Sequence, residues 1–341
     1  MLARRSILQH PLGATIDMPR LVPSFSSKGF PTFKVKKRKR PYSDSTRALE
    51  LIGPYINDSI LISAYDLHHG YLRKPKCFYH GKELIFIDSG GYELSHDWDS
   101  TEPKQGPYKG LDFSEEDHRN ILRMLPENLP FVITNFDCTS IGKPIQDQIF
   151  AAQELFNEFP KYLHNFLVKP TVKNKNLNIN EIISHAAKLH AFDILGVTEK
   201  ELGKNTIDRL VNIARLRSAM DRENIKNPIH IWGGLDPITS PLYFFVGAEI
   251  FDGVSWLRYA YHEGMAVYRD SWGILNLGIE TPLDHVRGLV LNHNVTYLQR
   301  LTTSLRQFVD GAGTNFDMFD GHANIFQRAY GSLSTKIPEL K

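Results

Sequence analysis

Three aspartates in this 341-residue chain stand at or just past the ends of apolar runs. Asp88 closes "ELIFI" and is followed by Ser89-Gly90-Gly91, Asp137 follows "FVIT" by three residues, and Asp252 ends "AEIFD". Glycines after an acid permit positive φ and close backbone approach, although an acid before two glycines also suits a plain turn. Carboxylates without companion cysteines or a histidine pair have two chemistries open to them. They can hold a hard cation such as Mg²⁺, or share the work of breaking a glycosidic bond, one as nucleophile and another as general acid/base. Tyr92 and Trp232 favour the second, because flat rings beside acids suit a sugar or a planar base.

Elements able to bring these residues together are legible as eight strand-like runs. They are "RLVPS" (20–24), "SILISA" (59–64), "ELIFI" (83–87), "FVIT" (131–134), "NFLV" (165–168), "FDILGV" (192–197), "IHIW" (229–232) and "AEIFDGV" (248–254). Helical periodicity appears between them over 114–125, 145–159, 179–190 and 206–220, with a short helix expected within 238–248. Ser114 with Asp117 three residues on resembles a helix start. Strand and helix alternate, and no G-x-G-x-x-G follows an early strand, so a (β/α)8 barrel is expected over a doubly wound sheet. Val295, Leu298, Leu301, Leu305 and Phe308 recur at helical spacing, predicting a C-terminal amphipathic helix over about 291–311. In such a barrel the chemistry lies at the C-terminal ends of the strands. Asp88, Asp137, Lys169, Gly196, Trp232-Gly233 and Asp252 all fall there, so one rim gathers acids, glycine turns and an aromatic.

Composition restricts the rest. With 42% hydrophobic and 23% charged residues the chain is an ordinary globular protein, expected to be one domain over 1–341. No apolar run approaches the ~18 residues of a membrane span, and the N-terminus does not read as a signal peptide. Two cysteines, Cys77 and Cys138, supply neither a disulfide framework nor a four-ligand zinc site, so no metal or cofactor is expected and a reducing cytoplasm suits the chain. Net charge is only +2, yet "FKVKKRKRPY" (33–42) holds Lys34, Lys36, Lys37, Arg38, Lys39 and Arg40. Such a run is either a solvated loop or an arm that contacts phosphates.

At this point the motifs resemble the tRNA-guanine transglycosylases, barrel enzymes that replace a guanine in nucleic acid by a 7-deazaguanine through a covalent intermediate. "HPLGATIDMPRLVPSFSSKG" resembles that family's N-terminal hairpin and first strand, and "ILISAYDLH" its second. "DSGGYE", "FDCTS", "GAEIFDGVSWLRYAYHEG" and "NHNVTYLQRLTTSLRQFVDGA" resemble its acid/base, base-reading, nucleophile and C-terminal helix segments. The resemblance covers most of the chain and implies roles by position. Asp252 would be the nucleophile at C1′, Asp88 the acid/base on the purine, and Asp137 the acceptor for the base's N–H edge. Gly196 would offer a backbone N–H to the base, Tyr92 and Trp232 would sandwich its ring beside Gly233, Glu201 would lie at its 7-substituent, and Arg258 would meet a phosphate. The implied partners are DNA or tRNA and a 7-deazaguanine such as preQ0, with a homodimer or an accessory protein in addition.

Two departures bear on the acceptor. The family's zinc site is absent, since no cysteine follows Cys138, and Lys169 stands where most members have glutamine. The zinc subdomain helps the family hold tRNA, so DNA is the favoured acceptor and tRNA the alternative. The basic loop then reads as a backbone-contacting arm. A non-catalytic partner subunit would have no need of both Asp88 and Asp252. A carbohydrate-active barrel would explain the acids and aromatics but neither the loop nor "DSGGY".

Overall fold

The computed structural model describes residues 2–33, 42–72, 76–95, 110–138, 140, 142–171, 176–319 and 321–337. Eight parallel strands close into a barrel: β1 Arg20–Phe25, β2 Ser59–Ser63, β3 Leu84–Asp88, β4 Phe131–Thr134, β5 Leu163–Val168, β6 Ile194–Thr198, β7 Ile229–Trp232 and β8 Ile250–Gly253. Each strand pairs with the next in sequence and β8 returns to β1, registering Asp252 against Val22. This is the (β/α)8 architecture expected from the alternation of apolar runs and helices. The "FVIT" and "IHIW" runs coincide end to end with β4 and β7.

Side chains alternate across each strand, so the barrel has two cores. Val22, Leu61, Leu84, Phe86, Val132, Leu163, Leu167, Ile194 and Ile250 fill the interior. The outward residues, such as Phe25, Ile62, Ile85, Ile133, Phe166 and Phe251, pack under the helices. The antiparallel hairpin Ile7–Gln9/Thr15–Asp17 lies under the barrel and sends Leu8 and Ile16 into the inner core with Met18. It is fastened on three sides. Arg4 bonds Asp221 at 2.5–2.7 Å, the Ser6 N–H donates to Glu249 at 3.1 Å, and His10 Nε2 meets the Phe131 carbonyl at 3.1 Å.

Helices follow the strands with local reasons for their ends. Glu115–Arg123 starts at a full capping box, Ser114 and Asp117 exchanging side-chain and backbone bonds. The helix expected over 179–190 instead runs Ile179–Ser184 and continues as a 3-10 turn, Ala186–Ala191. Here the Ser184 hydroxyl and His185 ring both bond the Glu181 carbonyl, which an unbroken α-helix would use for the His185 N–H.

The C-terminal helix buries Val295, Leu298, Leu301, Leu305 and Phe308 as expected, but runs Leu283–Asp310. Its first two turns pack Val286 and Val290 on Trp272 of the preceding helix, Arg269–Leu277, rather than on the barrel. Leu283 and Leu289 stay exposed there, which breaks the apolar period. A further helix, Ala323–Lys336, adds Phe326 and Leu333 to the outer core. Among the described residues no helix is long and apolar enough to cross a membrane.

Asn294 ties this long helix to the chain leaving β8. Fully buried, it accepts from the Tyr261 N–H at 2.8 Å and donates to the Trp256 and Tyr259 carbonyls at 2.7 Å. Asn294→Ala leaves three backbone groups without partners and should cost about 3 kcal/mol of stability, read as a lower urea midpoint with unchanged slope.

Candidate active site

The loop after β3 is built around its glycines for two different reasons. Gly90 adopts φ +89°, and a Cβ there would lie 2.8 Å from Tyr65 Cβ. Gly91 has ordinary φ but lies under Asp137, whose Oδ1 would be 2.3 Å from an added Cβ. The paired glycines thus let the β4 loop press its carboxylate onto the β3 loop. Asp88, the last residue of β3, accepts the Ser89 N–H at 2.7 Å, while the Ser89 hydroxyl donates to Asp137 Oδ1.

On its other side Asp137 meets Lys169, just past β5. The Lys169 ammonium lies 3.2 Å from Asp137 Oδ2, 3.2 Å from Glu201 Oε1 and 3.1 Å from the Thr198 hydroxyl. Burial alone would lower the Lys169 pKa, but the two carboxylates reverse this and hold it above the usual lysine range. Burial pushes Glu201 up while Lys169 pulls it back. The raised Lys169 is what an ion pair gives, whereas for Glu201 burial outweighs the pull of the ammonium; one ammonium thus faces two carboxyls at 3.2 Å each.

Asp252, on β8, is held by donors from two neighbouring strands. The Ser24 hydroxyl on β1 donates to Oδ2 at 2.7 Å. His230 Nε2 on β7 and the Gly233 N–H both lie 3.1 Å from Oδ1. Behind His230, the Asn165 side-chain amide meets Nδ1 at 2.8 Å. Ser24, Asn165 and His230 were not singled out from the sequence, although a signal existed: each occupies an inward position two residues from an inward apolar or aromatic neighbour, Val22, Leu167 or Trp232.

Asp88 is the acid whose environment is least like water. Burial raises its pKa well above the usual carboxylate value, and the neighbouring charges of Glu93, Asp137 and Asp252 push it the same way. Glu93 and Asp66 are also raised by burial, and both are tied to β1-loop hydroxyls, Ser26 and Ser27 respectively. The Cys138 thiol is pushed up by burial and by Asp137 and Asp88, which keeps it protonated and poorly nucleophilic. Among the described residues no group of three His, Cys, Asp or Glu is set to hold a metal ion.

The remaining expected residues line the same mouth at different depths. Tyr92 is half-buried, its hydroxyl 3.3 Å from Arg258 Nη2 and its ring 4.5 Å from the Lys28 ammonium. Lys28, almost fully buried, also donates to the Tyr92 and Ser95 carbonyls at 2.9 Å and so fixes the turn that carries Tyr92. Trp232 lies against His230 with ring centres 4.4 Å apart, so one of its faces is already covered. Gly196 sits two residues before the end of β6, where a Cβ would strike Trp232 Nε1 at 2.6 Å and Asn165 Oδ1 at 2.7 Å. The basic positions Lys34, Lys36, Lys37, Arg38, Lys39 and Arg40 lie outside the described residues.

A buried carboxyl with a raised pKa disfavours folding once it must ionise. The Asp88 contribution is fully present below the unfolded value of 3.8 and is lost as pH rises through the higher folded value. Asp88→Asn should therefore be neutral in acid and more stable than the native protein at pH 7.5, by about 1 kcal/mol or more. Urea unfolding at pH 4 and pH 7.5 measures the difference; equal midpoints for the two proteins at both pH values would contradict the assignment. Compared with known proteins, the chain matches no family model and no curated protein.

Proposed function

We propose that the protein is a base-exchanging transglycosylase acting on nucleic acid through a covalent aspartyl-nucleoside intermediate. The observation that carries this reading is the pairing, at one barrel mouth, of a carboxyl group held by three donors, Asp252, with Asp88, an acid whose pKa burial raises. Two acids kept in opposite roles by their surroundings are what a double displacement at a glycosidic carbon needs. Asp252 attacks C1′ of the target nucleoside as the C1′–N9 bond breaks, and Asp88 protonates the departing guanine. The incoming base returns its N9 proton to Asp88 and displaces Asp252, so no oxidant or cofactor is consumed.

Asp137 accepts the N–H edge of the bound purine, and the Lys169 ammonium beside it donates to a carbonyl oxygen. Glu201, Gly196 and Gly233 border the remaining edge, and Tyr92 and Trp232 supply aromatic surface. A 7-deazaguanine such as preQ0 is the incoming base. Arg258, beside Tyr92 at the mouth, and the basic run from Lys34 to Arg40 meet phosphates. DNA is the acceptor we favour, with tRNA the alternative, because no cysteine after Cys138 is available for the zinc subdomain that helps tRNA-specific relatives.

Incubation with labelled guanine and either DNA or tRNA tests the reading. Label should enter one polymer, and Asp252→Asn should abolish incorporation while nucleic acid still binds. Undiminished labelling by that variant would remove Asp252 as nucleophile, and no labelling of either polymer by the native protein would sink the reading. Binding should weaken with salt at a log–log slope of about −0.9 per phosphate contact on duplex DNA. Replacing three of the six basic residues with alanine should flatten that slope equally across sequences.

A further inference from the structure

We propose that His230 is a positioning residue that makes the two oxygens of Asp252 unequal, reserving Oδ1 for hydrogen bonding and Oδ2 for attack. This inference rests on the base-exchange reading above. A carboxylate oxygen has two lone-pair directions. Oδ1 spends both, on His230 Nε2 and on the Gly233 N–H, each at 3.1 Å. Among the described residues Oδ2 accepts from the Ser24 hydroxyl alone and keeps one direction open.

His230 is built to hold that bond. Its ring is fully buried, flat against Trp232 at 4.4 Å and edge-on to Phe86 at 5.4 Å. The Asn165 side-chain nitrogen, 2.8 Å from Nδ1, donates to it, which leaves the ring proton on Nε2, facing Asp252. Ring tilt and tautomer are thereby set from β5, three strands away from the aspartate.

The arrangement has a consequence for each half of the exchange. In the first, the Oδ2–C1′ bond forms as the C1′–N9 pair leaves on the purine, which takes the Asp88 proton. Oδ1 is then the carbonyl oxygen of the ester. In the second, the incoming N9 gives its proton to Asp88 and attacks C1′, and the Oδ2–C1′ pair returns to Asp252. The returning charge spreads onto Oδ1, where His230 and Gly233 already point. Without the His230 donor, Asp252 becomes the poorer leaving group, so the second half slows more than the first.

The test compares His230→Phe, which keeps a flat ring against Trp232 and removes the donor, with His230→Gln, which places an amide near Nε2. Both are assayed for turnover and for the fraction of enzyme that carries labelled oligonucleotide through denaturing electrophoresis. His230→Phe should lose about tenfold or more in turnover, the worth of one hydrogen bond to a charged group, while its adduct fraction rises. His230→Gln should recover both. Should His230→Phe fail to fold, Asn165→Ala, which frees the ring, carries the same expectation of a raised adduct fraction. A folded His230→Phe, or failing that Asn165→Ala, with native turnover and adduct fraction would overturn this inference alone. A native protein giving neither exchange nor adduct would overturn the base-exchange reading and this inference with it.

Discussion

The hydrogen bond from Ser24 to Asp252 spans 228 residues of sequence and exists only because β8 closes against β1. That closure is the constraint on which the rest of the structure depends. It places the first strand beside the last, completes the inner core, and gives Asp252 donors on both flanks, Ser24 on one and His230 with Gly233 on the other. A contact of such long range forms only after most of the chain's loop entropy has been lost. The aspartate therefore acquires its surroundings in the same event that makes the barrel a barrel.

Within that frame the mouth gathers more negative charge than a water-poor site would ordinarily carry, and the fold deals with it in three ways. Burial raises the pKa of Asp88, Asp66 and Glu93. Asp137 and Glu201 share one ammonium, Lys169. Among the described residues Asp252 is met by a hydroxyl, an imidazole and a backbone N–H rather than by a lysine or arginine. The treatments are spatially sorted: the acids raised by burial lie on the β2–β3 side, the ion-paired acids between β4 and β6, and the hydrogen-bonded acid at the closure. Such sorting gives neighbouring carboxyls different chemistry without any difference in residue type.

Much of this frame was legible in the sequence, because barrel strands buried on both faces read as short apolar runs. "FVIT" and "IHIW" mark their strands to the residue, and Asp88 and Asp252 stand out as acids ending such runs. What was not legible is what tertiary contact decides. His230 and Asn165 look like interruptions of apolar strands until the barrel turns them inward toward each other. Lys28 reads as a loop cation, yet only 2% of it is exposed and it braces the Tyr92 turn. The long helix begins at Leu283, eight residues before the start at about 291 expected from the sequence, since its first turns answer to Trp272 instead.

The hairpin under the barrel has a consequence for access. Leu8, Ile16 and Met18 stopper the lower end, and Arg4, Ser6 and His10 clamp the stopper to Asp221, Glu249 and Phe131. The interior is thus packed and closed from below, and Asp88 and Asp252 lie at the opposite ends of their strands, away from the stopper.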